Sequence, residues 1–364
     1  KKMQLSIRPG LVKMWGIQRL VSLDALMALW GLGTWLGVNG LYVQLPLLVE
    51  RLPEGWALPS SMALSVQLAN VGLLIYALLR RLRPNASDAP YVYILLVIGT
   101  AALTLNSFFY PYTTYIGENE HSLAFLILTF FAALVGCTSS VLFYPYLRHY
   151  REIYLATYLA GEGLSGFIPS IMALIQGVGG DPKCLPSEDN STMIPYYSPP
   201  RFGTDVFFLI LAGLSAVSFI SFMAVDNCSL YRSERVATSE KKEEEVIEEP
   251  VQTSLCMRRW IIMFGLMAVL NAVSNGMLPS IQSFSCMPYG ATAYHLAATL
   301  GAMANPAACL AGVWLKPVSE RMLSGGAKAM RVCGVFVQVG SALGSLLFFL
   351  LVNYTKLFTQ SQVC

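Results

Sequence analysis

The sequence predicts an all-α, polytopic membrane protein: a helical bundle of about nine spans with a two-repeat, transporter-like organisation. Three observations carry that reading. The 364 residues are 55% hydrophobic and only 12% charged, about half the charged share of a typical soluble domain. Apolar runs of roughly 18 or more residues recur along the chain, each long enough to cross a bilayer as a helix. Positive charge is sorted between alternate loops, as the positive-inside rule requires.

The spans fall at about 22–48, 59–80, 89–111, 122–146, 153–178, 205–225, 260–283, 291–315 and 328–352. Residues 1–20 hold Lys1, Lys2, Arg8, Lys13 and Arg19 without a long apolar core, so they read as a cytoplasmic segment and not as a cleavable signal peptide. With this segment inside, only Arg51, Lys183, Arg201 and Lys356 of the 24 Lys and Arg fall outside. The expected topology therefore has a cytoplasmic N-terminus and an extracellular C-terminus. A net charge of +3, spread this way, gives no sign of a nucleic-acid partner.

Two loops are long. Residues 179–204 are expected outside and carry Asn190 in "NST", the predicted glycosylation site. Asn85 in "NAS" is expected inside and bare, and Asn353 in "NYT" lies close to the bilayer. Residues 226–257 contain "SEKKEEEVIEEP" and read as a cytoplasmic linker. The linker divides a first six-helix half, 21–225, from a second half, 258–364, with about three helices. Of the cysteines, Cys184, Cys286 and Cys364 are expected on the oxidising side, which allows at most one disulfide among them. No Cys/His spacing suggests a metal site.

Each half opens with a related polar motif. "VNGLYVQLP" (Val38–Pro46) and "SNGMLPSIQ" (Ser274–Gln282) place Asn-Gly, a proline and a glutamine inside long apolar runs. Interrupted helices at matching places in two repeats mark the central site of many transporters. Amides at that depth need partners or a wet cavity. The candidates are Asn39, Gln44, Gln67, Asn70, Asn271, Asn275, Gln282, Asn305, Gln338 and His295. Glu162, in "AGEGLSGFIP", is the only acidic residue deep inside a span. Trp35, Tyr42 and Tyr294 add aromatic surface, with Trp35 and Tyr42 placed to stack on a ring. Such a lining suits a neutral, polar, flat or polyhydroxylated solute and not an ion or phosphate. Interhelical hydrogen bonds that hold the bundle together are the plainer reading of each amide. There is no P-loop pattern, nucleophile elbow or His-Glu-x-x-His, so no ATPase or hydrolase is read and the chain is taken as a non-enzyme.

Longer stretches identify a relationship. "NGLYVQLPLLVERLPEGWALPS" (Asn39–Ser60), "VQLANVG" (Val66–Gly72), "CTSSV" (Cys137–Val141), "GEGLSG" and "NGMLPSIQSFSCMPYGATAYHLAATLGAMANP" (Asn275–Pro306) resemble the vertebrate-type riboflavin transporters, solute carrier family 52. The resemblance implies a plasma-membrane facilitator for riboflavin, independent of sodium, with riboflavin as substrate and no cofactor. That family also contains receptors for a gammaretrovirus envelope. Its substrate is flat, rich in heteroatoms and hydroxyls, and uncharged at neutral pH, which fits the neutral lining. The substrate-binding set carried forward is Trp35, Asn39, Tyr42, Gln44, Gln67, Asn70, Glu162, Asn275, Gln282, Tyr294 and His295.

Two departures accompany the resemblance. Many family members have glutamate where this chain has Gln44. They also have eleven spans, and two helices with their outer loop are expected to be absent between Leu315 and Ser324, leaving a shortened second half. The family's partner for Cys364 would then be lost with that loop. The competing functional readings are a cell-surface receptor and a non-transporting shortened isoform.

Overall fold

The computed structural model describes residues 11–14, 17–84, 86–181, 183–186, 193–196, 198–232, 234–235, 257–312 and 326–360. Asn190, Cys364, most of the 226–257 linker and the junction between Leu315 and Ser324 lie outside them.

The first half is built from α1 (Val21–Leu32), α2 (Leu36–Leu48), α3 (Leu58–Leu68), α4 (Val71–Leu82), α5 (Ala89–Phe109), α6 (Leu123–Leu147), α7 (Glu152–Gln176) and α8 (Thr204–Asn227). A short α9 (Ser229–Arg232) follows. The second half contributes α10 (Met257–Asn271), a π-helical turn (Ala272–Met277), α11 (Leu278–Cys286), α12 (Ala291–Gly312) and α13 (Gly326–Tyr354). Three two-stranded hairpins, β1–β2 (Leu11–Met14 with Ile17–Leu20), β3–β4 (Thr114–Ile116 with Asn119–His121) and β5–β6 (Lys183–Pro186 with Met193–Tyr196), lie in the segments that flank the helices. Their size leaves the architecture all-α.

Among the described residues, seven helices are long and apolar enough to cross a membrane, and α1 with α2 makes an eighth as a pair bent by 50°. The expected span 22–48 is therefore broken, at Gly33–Trp35. The break is closed by Thr34, whose hydroxyl donates to the Gly31 carbonyl at 2.7 Å. The expected span 59–80 starts earlier, at Gly55, and loosens at Ala69–Asn70 between α3 and α4. The expected span 291–315 is helical as α12 over Ala291–Gly312.

Two helix crossings depend on backbone contact. A Cβ on Gly31 would stand 2.2 Å from the Tyr158 carbonyl, and one on Gly161 would stand 2.0 Å from the Ala28 carbonyl, so α1 and α7 touch through their main chains. In the second half, Gly340 and Gly344 of α13 would meet the Ala268 and Ala272 carbonyls at 2.1 and 2.4 Å. Small residues at such crossings allow the close approach on which packing in lipid depends.

One apolar cluster gathers around Trp30, whose ring lies 5.2 Å from Phe143, 5.1 Å from Tyr158 and 4.9 Å from Phe222. A second combines Leu36, Leu41, Leu45, Trp56, Phe207 and Phe208 with Met287 and Tyr294 from beyond the linker. The second cluster fuses the halves, and α7 runs along it against both α2 and α12.

Candidate functional site

The helices α2, α7 and α12 meet in a junction lined by polar side chains. On α2, the Asn39 amide donates to Ser165 Oγ at 3.2 Å, and Ser165 in turn donates to the Glu162 carbonyl at 2.6 Å. Five residues further along α2, Gln44 donates from Nε2 to Gln176 Oε1 at 2.5 Å. The Gln176 amide nitrogen donates to the Phe202 carbonyl at 3.0 Å. From α12, the His295 ring bonds to the backbone of Ala173, one turn before Gln176 on α7. Tyr294 is completely buried beside Tyr42 and Cys286. Three polar atoms here, Gln44 Oε1, the Tyr294 hydroxyl and His295 Nε2, are buried without a hydrogen-bond partner among the described residues.

Glu162 sits nearer the opposite end of α7. The Tyr144 hydroxyl of α6 donates to Glu162 Oε2 at 3.1 Å, and the Trp35 indole is a second side-chain donor to that carboxylate. Trp35 is the last residue of the break between α1 and α2 and covers Gly136 of α6, where a Cβ would come 2.8 Å from its ring. Gln67 and Asn70 belong to the α3–α4 break and bond each other at 3.0 Å. The backbone on either side of them meets α6, where the Cys137 thiol donates to the Val66 carbonyl at 3.5 Å and Thr138 crowds Gly72.

Other candidates lie apart. Asn275, in the π-helical turn, bonds Asn271 at 3.2 Å and Ser341 of α13 at 3.0 Å. Asn271 also donates to the Met267 carbonyl. Gln282 is half-buried on α11, and Gln338 is half-buried on α13. The Asn305 side chain lies outside the described residues. Ser165, Gln176 and Tyr144 were missed by the sequence reading. Ser165 stands inside the quoted "GEGLSG" stretch, so polarity within a span was the available signal. Cys184 is disulfide-bonded, whereas Cys137, Cys228 and Cys286 are free thiols. The described residues contain no cluster of His, Cys, Asp or Glu that would hold a metal ion.

The assembly is a set of amides, hydroxyls and aromatic rings around one carboxylate. It can exchange hydrogen bonds with an uncharged polar solute.

Comparison with known proteins gives this chemistry a context. The family described as "Solute carrier family 52, riboflavin transporter" matches residues 19–252, 229–325 and 318–360. The chain is 32% identical over 456 aligned residues to human riboflavin transporter member 3, covering 93% of this chain and 97% of that protein. It is 35% identical over 342 residues to the zebrafish (Danio rerio) member 3-B, covering 82% and 75%. It is 36% identical over 323 residues to human member 2, covering 80% and 72%. Matches of this extent place the chain in solute carrier family 52, the riboflavin transporters.

Proposed function

We propose that this chain carries riboflavin across the plasma membrane by alternating access, with the vitamin held at the α2–α7–α12 junction. The observation that carries the reading is the near-full-length match to riboflavin transporters, joined to a buried junction whose polar groups are almost all uncharged. Riboflavin is cargo and no cofactor is required. The two halves rock about the junction and expose it to each side in turn. Trp35 and Tyr42 offer ring surfaces for stacking, and Asn39, Gln44, Glu162, Tyr294 and His295 supply hydrogen bonds. Gln67 and Asn70 extend the polar lining along α6. Asn275 and Gln282 act from the second half, in the segment that repeats the α2 motif. The sorting of Lys and Arg supports a cytoplasmic N-terminus and an extracellular C-terminus, with the glycan on Asn190 outside.

A shortened second half is part of the proposal. The alignment with human member 3 runs over 456 positions, more than the 364 residues of this chain, so the chain must be gapped against that relative. The test is uptake of labelled riboflavin in cells that express the chain. Saturable uptake blocked by unlabelled riboflavin, with the protein labelled at the cell surface, supports a carrier. Surface protein without saturable flux supports a receptor, and retention inside the cell supports a non-transporting isoform.

A further inference from the structure

We infer that Gln176 fixes the polarity of Gln44, so that the junction presents a buried acceptor and takes the imide N–H of the flavin ring. The inference rests on the riboflavin reading and extends it to one atom of the substrate.

One group at the start of this relay has a polarity that cannot change. The Phe202 backbone carbonyl only accepts, so the end of Gln176 that faces it at 3.0 Å is the amide NH2. Gln176 Oε1 is thereby turned to Gln44, 2.5 Å from its Nε2, and Gln44 must donate. Here a flip of either glutamine would set two oxygens or two NH2 groups against each other. The relay therefore ends on Gln44 Oε1, an acceptor with no partner among the described residues, on a side chain that is 1% exposed.

A buried carbonyl without a donor costs free energy until something supplies one. The neighbouring His295 repeats the arrangement. Its ring bonds to the Ala173 backbone, and its Nε2 is buried without a partner among the described residues. Gln44 Oε1 therefore asks the ligand for a donor, while the Tyr294 hydroxyl can give or accept. The oxidised flavin ring has a single N–H, the imide between its two carbonyls, while its other ring heteroatoms accept or are substituted. Only that imide can meet Gln44 Oε1 from the ring. The ribityl hydroxyls are the remaining donors and suit His295. Gln176 is a positioning residue in this scheme and does not touch the vitamin.

The experiment compares riboflavin with 3-methylriboflavin, which lacks the imide proton, by quenching of flavin fluorescence on the purified full-length chain and by competition for uptake. The wild type is expected to prefer riboflavin by roughly tenfold or more, because a site built around one hydrogen bond rejects the analogue without it. Gln176→Leu, or the better space-filling Gln176→Met if the leucine variant does not reach the surface, frees the Gln44 amide to turn and should bring the preference close to one. Gln176→Glu can still accept from Gln44 and should keep the preference. Equal binding of both flavins by the wild type, or an unchanged preference in the apolar variants, overturns the inference while leaving riboflavin transport standing. A wild type that binds neither flavin overturns the transport reading and this inference together.

Discussion

Ser283 and Trp56 stand 227 positions apart in the chain, yet the serine hydroxyl donates to the tryptophan carbonyl at 2.5 Å. The contact joins α11 of the second half to the turn before α3 of the first. Phe284 stands edge-on to the Trp56 ring at 5.8 Å, and the Asn353 amide reaches Ser60 at 2.9 Å nearby. Trp56 is only 3% exposed. Trp56→Ala should therefore destabilise the protein by about 3–5 kcal/mol, and Ser283→Ala by about 1 kcal/mol. Thermal unfolding of the purified variants in one detergent measures both, and equal midpoints for wild type and Trp56→Ala would refute the role given to this seam.

Glu162 is the second target. Its two side-chain donors, Tyr144 and Trp35, come from different helices, so the carboxylate fixes α7 against α6 and α2 at once. Glu162→Ala should lower riboflavin uptake by about tenfold, as expected when an intramembrane acid serves the transport path. Glu162→Gln keeps an acceptor for Tyr144 and should fall less. Surface biotinylation separates transport loss from misfolding, and full uptake by the alanine variant would make the acid a structural feature only.

The sequons should differ. The Asn353 amide donates to both Ser60 Oγ and the Phe349 carbonyl at 2.9 Å, inside the last turn of α13. A glycan there would break the seam. Asn190→Gln should abolish the mobility shift on glycosidase treatment, and Asn353→Gln should leave it intact.

Glu50 gives a pH dependence outside the spans. Burial pushes its carboxyl up to about 7, with Arg51 opposing the shift and Asp181 adding to it. Its Oε1 has no hydrogen-bond partner among the described residues. Because the folded value lies above the ordinary 4.5, the contribution to stability is full below about 4.5 and is lost as pH rises to about 7 and beyond. Melting temperature should fall across that window, and Glu50→Gln should flatten the fall.

Sequence made some of this legible and hid the rest for identifiable reasons. The isolation of Glu162 was visible because every other acid lies near or beyond a span end. Gln176 was hidden because it closes α7 beside Gly177, where an amide reads as an interfacial residue, and because its partner lies 132 positions away. The Asn-Gly motifs read as two equal breaks, but they fold differently. Asn39 and Gly40 lie in the regular turns of α2, after a break at Gly33–Trp35, and Pro46 rides inside that helix. Asn275 and Gly276 form part of the π-helical turn itself, and Pro279 stands in the first turn of α11, where its missing N–H costs little. Local composition marks where a membrane helix is weak. Contacts made from elsewhere in the chain decide where it gives way.

The turn at Ala272–Met277 is wound wider than its neighbours. Tightening it to ordinary helical pitch would shift the register by one residue and swing α11 about its axis by roughly 100°. Gln282 would then sweep from one side of the bundle to another without any hinge loop, while α10 stayed clamped to α13 through Ala268 and Gly340. A rotation of that kind would be counted in single residues, because one extra residue is what the wider winding holds.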